Sequence, residues 1–236
     1  MRTIAIITAR GGSKRIPHKN IKEFCGKPIL AYSIEAALGS GVFDVVMVST
    51  DSEEIREIAQ RYGASVPFLR SEATSTDFAT TNDVLKEVIH TYQNLGEQFE
   101  RMACIYPTAP FVTGDELKDA MQRLDQSDAD SLMSVVRFSF PPQRALIIRE
   151  GKVQYQYPVY KAARSQDLEP IYHDCGQFYI CETKQFLKYG SMITDRTMPY
   201  ILPEEKVQDI DTMSDWVIAE AKYTTLMQNE DSVNEK

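Results

Sequence analysis

Short apolar runs rich in β-branched residues alternate with helix-patterned segments through the first 137 residues, and this alternation is the strongest constraint on the fold. The run at 3–9 ends in Gly11-Gly12 and reads as a buried strand. Over 28–38, Ile29, Leu30, Ile34, Ala37 and Leu38 share one helical face, with Gly39 and Gly41 as stops. A second strand is predicted at 45–49. Thr50, Asp51 and Ser52 then offer N-caps to a helix burying Ile55, Ile58, Ala59 and Tyr62. A short strand at 66–69 and a strongly striped helix at 82–95 follow. Strand, helix and strand are next predicted at 102–106, 114–124 and 131–137. Such a repeat belongs to the α/β class, with a mostly parallel sheet covered by helices on both faces. Ligands of such sheets bind beyond the carboxyl ends of the strands, where the loops at 10–22, 50–52, 70–81 and 107–113 would lie.

The pattern breaks at Pro141-Pro142. Two short runs around Glu150-Gly151-Lys152 predict a hairpin, and strand character returns at 176–181. The expectation is one domain over 1–228 with an inserted β-rich lobe at about 138–180, serving a second substrate, dimer contacts or both. A helix is expected from 213 to 226, and a disordered polar tail over 229–236.

The densest chemical signal is Arg10-Gly11-Gly12-Ser13-Lys14-Arg15-Ile16-Pro17-His18-Lys19-Asn20. It crowds four cations into one loop of a chain whose net charge is −8. Two glycines let backbone approach a ligand, and the cations would repel one another without an anion. The string is neither GxxxxGK[ST] nor GxGxxG. The acidic balance speaks against nucleic-acid and anionic-membrane partners, which require basic surfaces. No apolar stretch approaches a membrane span, and no signal peptide is apparent, so a cytoplasmic location is expected. Cys25, Cys104, Cys175 and Cys181 lack metal-ligand spacing and read as reduced thiols.

A second signal is Gln208-Asp209-Ile210-Asp211. In an extended segment both carboxylates face one way while Ile210 faces the core. Two close carboxylates call for a cation, and Mg²⁺ suits two carboxylates plus substrate phosphates. Asp211 as the N-cap of the last helix is a compatible alternative.

The basic string resembles the signature loop of the CMP-sialic acid synthetase family, cytidylyltransferases for acidic sugars built on a Rossmann-like nucleotidyltransferase core. The resemblance implies that Arg10, Gly11, Gly12, Ser13, Lys14, Lys19 and Asn20 hold the CTP triphosphate, with Lys19 nearest the reacting phosphate. It implies cytosine and ribose contacts for Arg70 and Thr81, nucleotide contacts for Pro107 and Thr108, and metal ligation at both Asp209 and Asp211. Tyr106 stands where sialic acid enzymes usually carry glutamine. Together with Phe140-Pro-Pro-Gln-Arg144, Arg164-Ser-Gln-Asp-Leu168 and Tyr172-His-Asp-Cys-Gly-Gln-Phe-Tyr179, it looks like the family branch that handles pseudaminic acid.

For an acidic nine-carbon sugar, Arg164 offers a fork for the carboxylate, and Tyr172 and Tyr179 offer stacking area and hydroxyls. Tyr106, Gln166 and Gln177 complete the implied sugar contacts. His173 reads as a general base or as a sugar-positioning residue, and at least one of Phe178 and Tyr179 is expected in the core. The implied reaction transfers CMP from CTP to the anomeric hydroxyl and releases pyrophosphate, supplying sugars for surface-glycan or flagellin glycosylation. The family also implies a homodimer. Sialic, legionaminic and 3-deoxy-octulosonic acids stand as alternative substrates, and a non-catalytic nucleotide sensor as an alternative of another class.

Overall fold

A computed structural model describes residues 1–234, with side chains described to residue 229. In chain order the elements are β1 (Thr3–Thr8), β2 (Glu23–Phe24), β3 (Lys27–Pro28), α1 (Ile29–Ser40), β4 (Val45–Ser49) and α2 (Glu53–Arg61). There follow α3 (Thr81–Asn94), β5 (Arg101–Ile105), α4 (Gly114–Asp125), β6 (Ser131–Arg137), β7 (Leu146–Arg149) and β8 (Lys152–Tyr155). The chain closes with β9 (Tyr172–Glu182), α5 (Thr183–Tyr189), β10 (Thr197–Leu202) and α6 (Met213–Asn234).

The central sheet has the order β10-β6-β9-β5-β1-β4, parallel except for β9, which is antiparallel to both neighbours. The alternation of β1 decides how the layers form. Ala5 and Ile7 join a core with Leu30 and Ile34 of α1 and Leu117 and Ala120 of α4. Ile4 and Ile6 face the opposite side, against Leu85, Val88 and Ile89 of α3. Each such aliphatic side chain, fully buried, contributes about 1.5–3 kcal/mol. The helices start where local chemistry allows. Ser52 caps α2, while Thr80 with Asp83 and Thr113 with Glu116 form reciprocal capping boxes on α3 and α4.

Three expectations need correction. The strand at 66–69 does not form: the only pairing there is one bridge, Met47 to Ser65, and Pro67 has no N–H for a ladder. The lobe is shorter than 138–180, because β9 re-enters the central sheet at Tyr172, leaving an excursion over 138–171. It carries the predicted hairpin, with Glu150 and Gly151 at φ 50° and 72°. The chain leaves β6 at the carboxyl edge and returns at the same edge, so β9 must run antiparallel. At the C-terminus the backbone is helical to Asn234, since neither Gly nor Pro interrupts it. The expected disordered tail is thus helix in its first part, and residues 235–236 lie outside the described residues.

A third core cluster holds the functional edge together. Ile16 of the basic loop, Phe24, Phe111 of the 107–113 loop, Ile210 and Trp216 of α6 bury one another. Phe24 makes edge-to-face contacts with Tyr32, Trp216 and Tyr223, with centroids 5.5–5.6 Å apart. Segments some 200 residues apart in sequence are thereby fixed side by side.

Candidate active site

Two adjoining cavities open at the carboxyl edge of the sheet, of about 470 and 500 Å³. The first is lined by the basic loop, Arg70, the 74–81 segment and Asp211; the second by His173, Asp174, Tyr179, Arg137 and Asp209. Tyr106 and Thr108 line both.

The basic loop brings Arg10, Ser13, Lys14, Arg15, Lys19 and Asn20 to the first cavity. Asn20 is buried, and its amide donates to the Arg10 carbonyl at 2.9 Å, closing the loop on itself. Gly11 and Gly12 depart from expectation, as neither lines a cavity. The Gly11 N–H donates to Asp51 Oδ1 at 2.8 Å, and a Cβ at Gly11 would come within 3.2 Å of Ser52 Cβ. The first glycine therefore lets the loop dock on the 50–52 turn, and its N–H is already committed.

Each cation of the loop has an anionic or carbonyl partner. Arg10 Nη1 lies 2.7 Å from Asp77 Oδ1, and Lys14 pairs with the other oxygen of Asp77. Arg15 Nη1 lies 2.8 Å from Asp211 Oδ2. Lys19 Nζ donates to the Ile210 carbonyl at 2.7 Å and stands 3.7 Å from Asp211 Oδ1. Burial pulls the Lys19 ammonium below its ordinary pKa, against the opposing pull of Asp211 and Asp209.

Arg70 is half-buried on the same wall, donating to Ser49 Oγ at 3.0 Å and to the Ser49 carbonyl at 2.8 Å. These bonds fix the guanidinium at the end of β4. Thr81 opens α3 across the cavity. Pro107 completes the floor beside Tyr106.

Ile210 is buried as expected, but its flanking carboxylates reach different cavities, Asp211 the first and Asp209 the second. They thus bracket the junction. Partial burial, then the nearby Asp211 carboxylate, raises the Asp209 pKa. Asp211 does not cap α6. Thr212 does, its hydroxyl accepting from Asp215 N–H at 3.3 Å while Asp215 Oδ2 accepts from Thr212 N–H at 2.7 Å. The Asp211 carboxylate instead pairs with Arg15 at the first cavity.

The predicted sugar residues divide. Tyr106, His173 and Tyr179 line the second cavity. His173 Nδ1 donates to the Asp174 carbonyl at 2.9 Å, since a carbonyl only accepts, and the ring packs on Phe138 at 4.5 Å. Phe178 and Tyr179 are both core residues, and Tyr179 also lines the second cavity. Gln177 lines neither cavity: it is buried, and its amide donates to the Lys206 carbonyl at 2.6 Å, bracing the segment that leads to Asp209. Tyr172 sits at the outer end of β9 opposite Arg137 and lines neither cavity. Arg164 is also outside both, pairing with Asp167 of its own turn at 2.7 Å, three-quarters exposed. Gln166 faces a separate cleft beside Phe138 and Pro203.

Sequence and structure comparisons show the family and the fold. Residues 4–229 match the family model described as cytidylyltransferase. The chain belongs to the cytidylyltransferase family. It is 41% identical to a pseudaminic acid cytidylyltransferase of Campylobacter jejuni, over 94% of this chain and 97% of that one. It is 34% identical to a CMP-N,N'-diacetyllegionaminic acid synthase of Legionella pneumophila, over 93% and 95% respectively. A CMP:2-keto-3-deoxy-manno-octonic acid synthetase solved with CTP superposes with a TM-score of 0.69 at 16% identity, over 98% of this chain and all of that one, a likeness of fold.

Sequence reasoning did not assign a role to several residues that line these two cavities. Arg15, Asp77, Asp174, Arg137 and Lys222 all line the cavities. Arg15 stood in the basic string, and Asp174 heads an Asp-x-Gly turn that could have been singled out. Asp77, Arg137 and Lys222 lie in segments with no local pattern. No helix among the described residues is long and apolar enough to cross a membrane.

Proposed function

We propose that this cytidylyltransferase joins CMP from CTP to pseudaminic acid, releasing pyrophosphate. The observation that carries the reading is the pair of cavities sharing Tyr106 and Thr108, with Asp211 on one side of the junction and Asp209 on the other. A nucleotide in the first cavity and a sugar in the second would meet there. The 41% identity to a pseudaminic acid enzyme and the tyrosine at position 106 favour pseudaminic acid.

In this reading Arg10, Ser13, Lys14 and Arg15 neutralise the triphosphate and the departing pyrophosphate. Lys19, held against the Asp209–Asp211 segment, stands by the α-phosphate, while Arg70 and Thr81 hold the nucleoside. The anomeric hydroxyl attacks the α-phosphorus in line, so positioning and charge neutralisation carry the rate. Of the cations on the second cavity, Lys222 is engaged by the carbonyls of Val207 at 2.7 Å and Glu204 at 3.3 Å. Arg137 is therefore the in-chain partner for the sugar carboxylate.

Asp209 and Asp211 suit a hard divalent cation: both are oxygen donors, and they flank the junction of the two cavities. Mg²⁺ held by these two carboxylates would complete its shell with phosphate oxygens and water. When bound, Mg²⁺ supplies charge neutralisation at the reacting phosphate. The reading includes a cytoplasmic enzyme and a homodimer joined through the excursion, where Phe140, Ile148 and Val159 are more than three-quarters exposed.

Pyrophosphate release with CTP and Mg²⁺ across a panel of acidic sugars tests the reading. Turnover with pseudaminic acid and little with sialic acid is expected. Turnover with another acid would keep the reaction and replace the substrate. Silence with CTP still bound would identify a nucleotide sensor.

A further inference from the structure

Asp209 stands on a segment that neither sheet nor α-helix holds. Between Leu202 at the end of β10 and Met213 at the start of α6, the backbone forms only a single 3-10 turn, Glu204–Lys206. A backbone without a ladder must find partners for its carbonyls elsewhere. Here side chains from three other parts of the chain supply them. Lys222 of α6 donates to the Val207 carbonyl at 2.7 Å and to that of Glu204 at 3.3 Å. Lys19 of the basic loop donates to the Ile210 carbonyl at 2.7 Å. Gln177 of β9 donates from Nε2 to the Lys206 carbonyl at 2.6 Å. Asp209 is thus held by anchors on either side of it.

Gln177 differs from the two lysines in where it sits. Lys19 and Lys222 line the cavities, whereas Gln177 is 3% exposed and lines neither. It falls in an arch of β9: Met133 and Val135 lie two apart on β6, yet their partners Tyr179 and Asp174 lie five apart. The Gln177 carbonyl accepts the Tyr106 N–H at 2.9 Å, and Tyr106 lines both cavities. One buried residue therefore joins the shared wall, through its backbone, to the turn that leads to Asp209, through its side chain. The rest of the amide does no comparable service. Its Oε1 is buried with no hydrogen-bond partner among the described residues. An apolar side chain of the same length would avoid that penalty, so the bond to Lys206 is what the amide contributes at this position.

We infer that Gln177 is a positioning residue for the transfer reaction: its amide fixes the 204–206 turn, and with it the place of Asp209 at the junction of the cavities, without touching either substrate. The inference rests on the acidic-sugar reading above.

The test compares wild type with Gln177→Met, which keeps the length of the side chain and removes the donor. Amide hydrogen exchange is read by mass spectrometry, and kcat and both KM values by pyrophosphate release with pseudaminic acid and CTP. The Lys206 and Val207 N–H groups bond to the Pro203 and Glu204 carbonyls at 3.0 and 3.2 Å, so exchange reports on the turn itself. We expect exchange over residues 203–209 to quicken by about tenfold while β1 and β5 keep their wild-type rates. The kcat should fall about tenfold, with both KM values within about twofold of wild type. A higher sugar KM at unchanged kcat would make Gln177 a sugar contact and overturn the inference. Unchanged exchange over 203–209 or a wild-type kcat would do the same. So would faster exchange throughout the molecule, the mark of a merely structural role. Should Gln177→Met fail to fold, Gln177→Asn decides by the same readings, because its amide is withdrawn by one methylene. Silence of wild type with every acidic sugar overturns the functional reading and this inference with it. Wild-type turnover matched by the variant overturns only the inference.

Discussion

Asp77 Oδ1 stands 2.7 Å from Arg10 Nη1 inside the first cavity, where a triphosphate oxygen would compete for the same guanidinium. The other carboxylate oxygen takes Lys14, and Lys14 first, then Arg10, holds the Asp77 carboxyl below the ordinary aspartate range. The loop is thus neutralised before nucleotide arrives. Under the proposed function, CTP would exchange Asp77 for its own phosphates. Asp77→Asn should tighten CTP binding by about two- to fivefold, the size expected for exposed ion pairs, with the gain shrinking at high salt. Titration calorimetry measures this, and weaker binding would instead make Asp77 a nucleotide contact.

Asp209 faces the opposite demand. Burial and then Asp211 raise its pKa, so the folded state holds its proton more tightly than the unfolded chain does. Its contribution to stability therefore falls as pH rises from the ordinary aspartate value through the raised one. Asp209→Asn should melt slightly higher than wild type at neutral pH, by no more than about 2–4 °C given solvent screening, and the difference should vanish in acid. Turnover should fall by about 10³-fold or more under the proposed metal role. Melting curves at two pH values and a saturating-Mg²⁺ assay check both halves, and an unchanged kcat would remove Asp209 from the site.

Arg137 and Arg164 separate the in-chain geometry from the sequence expectation. Arg137 lines the second cavity, whereas Arg164 is committed to Asp167. Arg137→Ala should raise the sugar KM about tenfold while leaving the CTP KM unchanged. Steady-state kinetics with each substrate varied decides, and an equal rise in both constants would exclude a carboxylate contact.

Trp216 is 2% exposed and packs on Phe24, which ties α6 to the basic loop and the Asp209–Asp211 segment. Trp216→Ala should cost about 3–5 kcal/mol in denaturant unfolding, and Trp216→Phe considerably less. CTP affinity should weaken with stability in the alanine variant, because the same cluster positions Ile16 and Ile210. Retained affinity in a strongly destabilised protein would uncouple the cluster from the site.

Strand and helix identity was legible in the sequence because it depends on near neighbours. The alternation of Ile4 to Ile7 and the stripe of Val84, Leu85, Val88 and Ile89 declare their periods within one segment, and Ile210 declares its core role between two aspartates. The basic loop was legible for the same reason: its cations all fall within the single string at 10–20. Partner choice was not. Arg15 meets Asp211 across 196 residues of chain, and Lys19 finds the Ile210 carbonyl across 191. No local pattern encodes those pairs. Tertiary structure alone decided that β9 runs antiparallel. It also split Asp209 and Asp211 between two cavities and committed the Gly11 N–H to Asp51. Each outcome depends on where distant segments pack; for the basic loop and the Asp209–Asp211 segment that was set by burial of Ile16, Phe24, Ile210 and Trp216 in one cluster.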